Sequence, residues 1–223
     1  ENEEFNAYFT AHGIVFQFPE RRNIEEKDRV KVDKEPEERS VETIWHTATM
    51  QWLNANPSVE LIAEQKVSNY YNYSNFYGGF DDKTFYNFVP AYKKIKYIDL
   101  YPGVDAEFEL PEEGGLKYKF IVKPNVVVPL ISFQWDGLDK ISTDEKGDLH
   151  LKSKFAPESL NFEWQLLDHA PNAFTAASRS DIPVKFSVND NKVELKLSSS
   201  IISSSEGIVI DPWLTPTTYP SLN

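Results

Sequence analysis

The chain has 223 residues, 40 % of them hydrophobic, enough for one large domain or two small ones around a sizeable core. Thirty-five acidic residues against 23 basic ones leave a formal charge of −12, which repels phosphate backbones and anionic membrane surfaces over roughly 10 Å and argues against nucleic acid as a partner. The absence of cysteine excludes disulfides and thiolate metal sites, and no apolar run approaches the roughly 20 residues of a membrane-spanning helix.

Taken in chain order, the opening ENEEFNAYF has neither the basic start nor the apolar core of a signal peptide, so the chain is expected to begin as a processed protein or as a fragment. Glu20 to Arg39 follows, with fifteen of twenty residues charged and only Ile24, Val30 and Val32 able to bury a face. That apolar surface is too small to offset the entropy of ordering, so the segment is expected to be a mobile loop or a solvated hairpin extension. Val59 to Val67 is the nearest approach to helical periodicity, and it fits a strand equally well.

Between Tyr70 and Tyr101, twelve aromatic side chains fall within 32 residues. Phe85, Phe88, Tyr92, Tyr97 and Tyr101 lie among Val89, Ile95, Ile98 and Leu100 and are expected in a core. Tyr70, Tyr71, Tyr73, Phe76 and Tyr77 are instead interleaved with Asn69, Asn72 and Asn75 and closed by Gly78-Gly79, a vocabulary shared by sugar-stacking sites and turn-rich loops.

Beyond this point period-two alternation dominates, at 117 to 122, 131 to 135, 148 to 152 and 193 to 197, which predicts half-buried strands. Turn signals separate them: Tyr101-Pro-Gly, Glu113-Gly-Gly, Asp136-Gly, Lys146-Gly-Asp and Asn189-Asp-Asn. The pattern predicts an all-β protein built as an antiparallel β-sandwich, divided into two packed sandwich-like subdomains. Their expected bounds are 1–90, carrying the charged insertion 20–39, and 91–214, with 215–223 as an exit linker.

Chemistry has few footholds. Asp105, Glu107 and Glu109 alternate on a predicted strand, so their carboxylates share a face at spacings of roughly 6.5 to 7 Å. They form either a solvated stripe opposite Val104, Ala106 and Phe108 or a site for calcium or glycosidic chemistry, with Asp105 and Glu107 the metal candidates and Asp211 a further acid. Asp81, Asp82 and Asp190 lie in turn-rich loops able to take calcium, but without the spacing of a dedicated calcium loop. His12, His46, His150 and His169 show no metal-ligand spacing, and no small-residue elbow surrounds the serines of 198–200 or 203–205. No catalytic residue is therefore nominated, and no cofactor beyond calcium.

Several segments in order carry a resemblance: Asn69-Tyr70-Tyr71, Tyr92 with Ile95 and Tyr97, Pro102-Gly103-Val104-Asp105, Tyr118-Lys119-Phe120 and Ile210-Asp211-Pro212. Over roughly Phe9 to Tyr219 the chain resembles the β-rich N-terminal domain of unknown function of large secreted bacterial surface proteins. In that family the domain precedes β-propeller-type or immunoglobulin-like repeats and often a sorting domain read by the type IX secretion machinery. The charged insertion, Lys119 in place of an aspartate and Asn125 in place of a glycine depart from the pattern. So does the missing opening asparagine-lysine-glycine segment.

The resemblance implies a non-catalytic module at the cell surface or outside it, serving adhesion, assembly or gliding. Its implied partners are other domains of the same chain or surface proteins. Pro102, Gly103, Asp105, Asp211 and Pro212 are expected to be architectural, forming turns and capping strand ends. The alternative is a carbohydrate-binding module using Tyr70, Tyr71, Tyr73, Asn75 and Tyr77.

Overall fold

A computed structural model describes residues 5–23, 41–74, 85–153, 165–198 and 204–216. Among them every regular element is a strand. In chain order these are β1 (Asn6–Thr10), β2 (Gly13–Asn23), β3 (Val41–Trp52), β4 (Glu60–Ser74), β5 (Phe85–Tyr101), β6 (Val104–Glu109), β7 (Leu116–Val122) and β8 (Ile131–Asp136). They continue with β9 (Leu138–Thr143), β10 (Leu149–Ser153), β11 (Gln165–Asp168), β12 (Asn172–Thr175), β13 (Val184–Asn189), β14 (Lys192–Leu197), β15 (Ile208–Asp211) and β16 (Trp213–Pro216). Of Val59 to Val67, ambiguous in sequence, all but Val59 belongs to the first half of β4.

The strands form two antiparallel sheets. One has six strands in the order β1-β2-β3-β8-β14-β13; the other has ten, in the order β4-β5-β6-β7-β16-β11-β10-β9 with β12 and β15 branching from β7. The alternation predicted from sequence is present as burial: along β7, Leu116, Tyr118, Phe120 and Val122 point inward while Lys117, Lys119 and Ile121 do not. The same period buries Val104, Ala106 and Phe108 of β6.

A single core lies between the sheets. Trp52 of β3 stands edge-on to Tyr97 at 5.8 Å and Phe120 at 6.1 Å in the opposite sheet, and to Phe133 at 6.2 Å in its own. Burying a ring of this size contributes about 1.5–3 kcal/mol. Two tyrosines of β5 also bridge the sheets by their hydroxyls. Tyr97 donates to the Thr10 carbonyl at 2.8 Å, and Tyr101 donates to the Ser132 carbonyl at 2.8 Å. Burial pushes the Tyr101 hydroxyl up to about 12, so both act as neutral donors near neutrality.

The division expected at 90/91 runs through the middle of β5, and each sheet takes strands from both sides of it. β8 inserts between β3 and β14, which joins the first fifty residues to the last forty. Among the described residues the buried side chains from both parts pack into one cluster. Of the charged segment, 20–23 completes β2 against Val41–Ile44 in the manner of a hairpin extension; the remainder up to 39 lies outside the described residues.

Candidate functional site

The acidic stripe on β6 faces outward as alternation requires, and lysines occupy it. Glu107 Oε2 lies 3.0 Å from Lys94 Nζ and 2.9 Å from Lys119 Nζ, and Lys96 reaches its Oε1 at 3.8 Å. Lys96 is in turn 2.9 Å from Glu64 on β4. Cross-strand register produces this ladder: Lys96 stands opposite Glu107, and Glu107 opposite Lys119. Burial pushes the Glu107 carboxyl up, but the hydrogen bonds and charges of Lys119 and Lys94 outweigh it and hold the group below its usual range. The two carboxylates nominated for a metal, Asp105 and Glu107, thus each have ammonium partners.

Asp105 is built into the neighbouring turn. Its Oδ1 accepts the Asp99 N–H at 2.8 Å and lies 3.3 Å from Lys123 Nζ, which also reaches Asp99 Oδ1 at 2.6 Å. Pro102 and Gly103 close the two-residue turn between β5 and β6, with Gly103 at φ 72, the left-handed geometry a type II turn needs there. Beside this turn is an open hollow of about 510 Å³ lined by Asn54, Ala55, Asn56, Pro57, Asp99, Pro102 and Gly103. The Asn56 amide donates to the Asp99 carbonyl at 3.1 Å, and Asn54 and Asp99 both have positive φ, at 56 and 53. Two asparagines, two prolines and Asp99 thus surround the hollow.

The aromatic candidates lie elsewhere. Tyr70, Tyr71 and Tyr73 belong to the far arm of β4, opposite Pro90, Val89 and Tyr86 of β5, with register shifts on either side of the Tyr70-Tyr71 pair. Asn75 and Tyr77 lie outside the described residues, as do Asp81 and Asp82. Of the rings expected in the core, Tyr97 and Tyr101 are fully buried and Tyr92 is partly exposed.

Asp211-Pro212 marks a fork. β15 runs along β7 at Phe120 to Val122 and pairs with β12 on its other side; β16 takes over along β7 at Leu116 and Lys117 and pairs with β11. Proline at the junction has no N–H to commit to either ladder, while its carbonyl accepts the Tyr118 N–H at 3.3 Å. The histidines stay apart: His150 lies 3.1 Å from Asp144, and His169 lies 3.0 Å from the Thr215 hydroxyl. Among the described residues, no three acidic or histidine side chains are grouped to hold a metal ion.

The family is decided by a sequence match over most of the chain. The sequence model of a domain of unknown function, DUF7948, matches residues 1–213. The chain belongs to the DUF7948 family. No curated protein and no solved structure matches it.

Two features of this DUF7948 chain are absent from the sequence reading. The first is the Asn54–Pro57 side of the hollow, whose signal was the turn-forming Asn-Pro pair just after Trp52. The second is a buried acid. Asp168 is 1 % exposed, and its Oδ2 accepts the hydroxyl of the buried Tyr118 at 2.5 Å. Its signal was parity: in Gln165-Leu-Leu-Asp, Asp168 shares the inward position of Leu166. Asn125 adopts φ 60, a conformation asparagine tolerates better than most side chains.

Proposed function

We propose that this DUF7948 chain is a non-catalytic β-sandwich module of a large exported bacterial surface protein, serving adhesion, assembly or gliding. The observation that carries this reading is how its motif residues are employed. Pro102 and Gly103 make a turn, Asp105 ties that turn to Asp99, Tyr118 anchors a buried acid, and Asp211-Pro212 splits a sheet. Residues used in this way hold a scaffold, and the carboxylates best placed for acid–base work are neutralised by lysines. Calcium, glycan and protein ligands remain classes to be assayed on that scaffold.

The test is localisation. In the source organism, a tagged full-length gene product is expected in the surface or extracellular fraction, where protease added to intact cells removes it. Recovery from the cytosol with full protection from protease would sink the proposal.

A second reading, glycan binding, is favoured by the position of Tyr70, Tyr71 and Tyr73 on β4, the edge strand of the larger sheet. Removing a stacking ring is expected to cost about 1 kcal/mol of binding. Titration calorimetry with glycans selected on an array checks this through Tyr71→Ala, and an array blank for the unmodified chain removes the reading.

A further inference from the structure

The larger sheet holds an acid that its surroundings do not neutralise. Asp168 Oδ2 accepts the Tyr118 hydroxyl, and Oδ1 has no hydrogen-bond partner among the described residues. A buried carboxylate is tolerated when a cation, a metal or several N–H donors surround it. Here alternation turns the nearby cations the other way. On β7, Lys117 and Lys119 stand outside while Tyr118 faces in; on β10, His150 and Lys152 stand outside while Leu149 and Leu151 face in. β16 contributes Leu214 and no titratable group, and His169, next along the chain, turns to Thr215.

The facing sheet follows the same rule. Phe133 of β8, Phe186 of β13 and Val193 and Leu195 of β14 are buried. Lys185 is exposed, and Lys192 and Lys196 pair with Glu194 on the outside. The remaining charge is of the wrong sign: Asp148, just before β10, whose carboxylate accepts the Ala170 N–H at 2.8 Å.

We propose that Asp168 is carried in the folded chain as a neutral carboxyl and acts as a pH-sensitive switch. Above neutrality it gives its proton to solvent, and the stranded charge loosens the joint of β7, β10, β11 and β16. Burial pushes the Asp168 carboxyl up to about 7, against the pull of the Tyr118 hydrogen bond and with help from the Asp148 charge. The folded value lies above the ordinary 3.8, so the folded state binds the proton more tightly than the unfolded chain. The stability it contributes is full below that ordinary value and is lost as pH rises through about 7.

The test is the urea midpoint of the full chain followed from about pH 5 to pH 9, in the unmodified protein and in Asp168→Asn, Asp148→Asn and Tyr118→Phe. The unmodified midpoint is expected to fall as pH rises from about 5 and to level off above about 7, while Asp168→Asn, which cannot ionise, lacks that fall. Asp148→Asn removes a like charge, so the midpoint levels off at a lower pH; Tyr118→Phe removes a hydrogen bond to the ionised form, so it levels off at a higher pH. Should Asp168→Asn not fold, the opposite displacements in the other two variants decide the matter. Parallel profiles for the unmodified chain and Asp168→Asn, or displacements of Asp148→Asn and Tyr118→Phe in the same direction, overturn the proposal.

Discussion

Gly103 is a residue at which a single methyl group is consequential. Its φ of 72 disfavours any side chain, and a Cβ there would meet the Val126 methyls at 2.7 and 2.8 Å. Gly103→Ala is expected to lower the free energy of unfolding by about 1–3 kcal/mol, measured by urea titration. Tyr97 poses a different question, since its ring is buried and its hydroxyl serves the Thr10 carbonyl from the opposite sheet. Tyr97→Phe keeps the packing and removes the donor, with an expected loss of about 1–2 kcal/mol in the same titration. The first of these sites was legible in sequence, because Pro-Gly carries its turn geometry within two residues. The second was legible as a core ring only, because the acceptor lies 87 positions away.

Among elements, the β4-β5-β6-β7 face is held by charge as well as by its ladder of backbone bonds. Glu107 joins three lysines on two strands with a side chain only 16 % exposed, so its ion pairs are better shielded than ordinary surface pairs. Glu107→Gln is expected to cost about 1 kcal/mol, with part of the difference removed by 1 M salt. Because the folded value is depressed, the stabilisation is present above the ordinary carboxylate range and is lost as pH falls through the folded value. Acid titration of the melting temperature should therefore show a shallower decline in Glu107→Gln than in the unmodified chain. The outward stripe of Asp105, Glu107 and Glu109 was legible from alternation. Its lysine partners were not, since they come from strands whose register only pairing determines.

At the scale of the whole molecule, β5 passes through the division expected at 90/91 and both sheets are assembled from distant parts of the chain. The described residues share one core, so unfolding is expected in a single transition, with tryptophan fluorescence and far-ultraviolet circular dichroism coinciding. A fragment of residues 91–214 would lack β1, β2, β3 and β4 and the first third of β5, removing Trp52 from Phe133 and Phe16 from Trp135. It is expected to show no cooperative melt; a fragment that melts cooperatively would restore the two-subdomain picture.

By itself the sequence determined that this is an all-β chain, where several of its strands and turns fall and which faces they bury. These are properties of neighbouring residues: alternation has a period of two, and Pro102-Gly103 bends the chain locally. Tertiary structure alone decided that β8 joins β3 to β14, that Lys94, Lys96 and Lys119 converge on Glu107, and that Asp168 meets Tyr118 in the core. Such contacts depend on which strands pair and in what register, and that choice minimises the free energy of the whole core, which no local window of sequence contains.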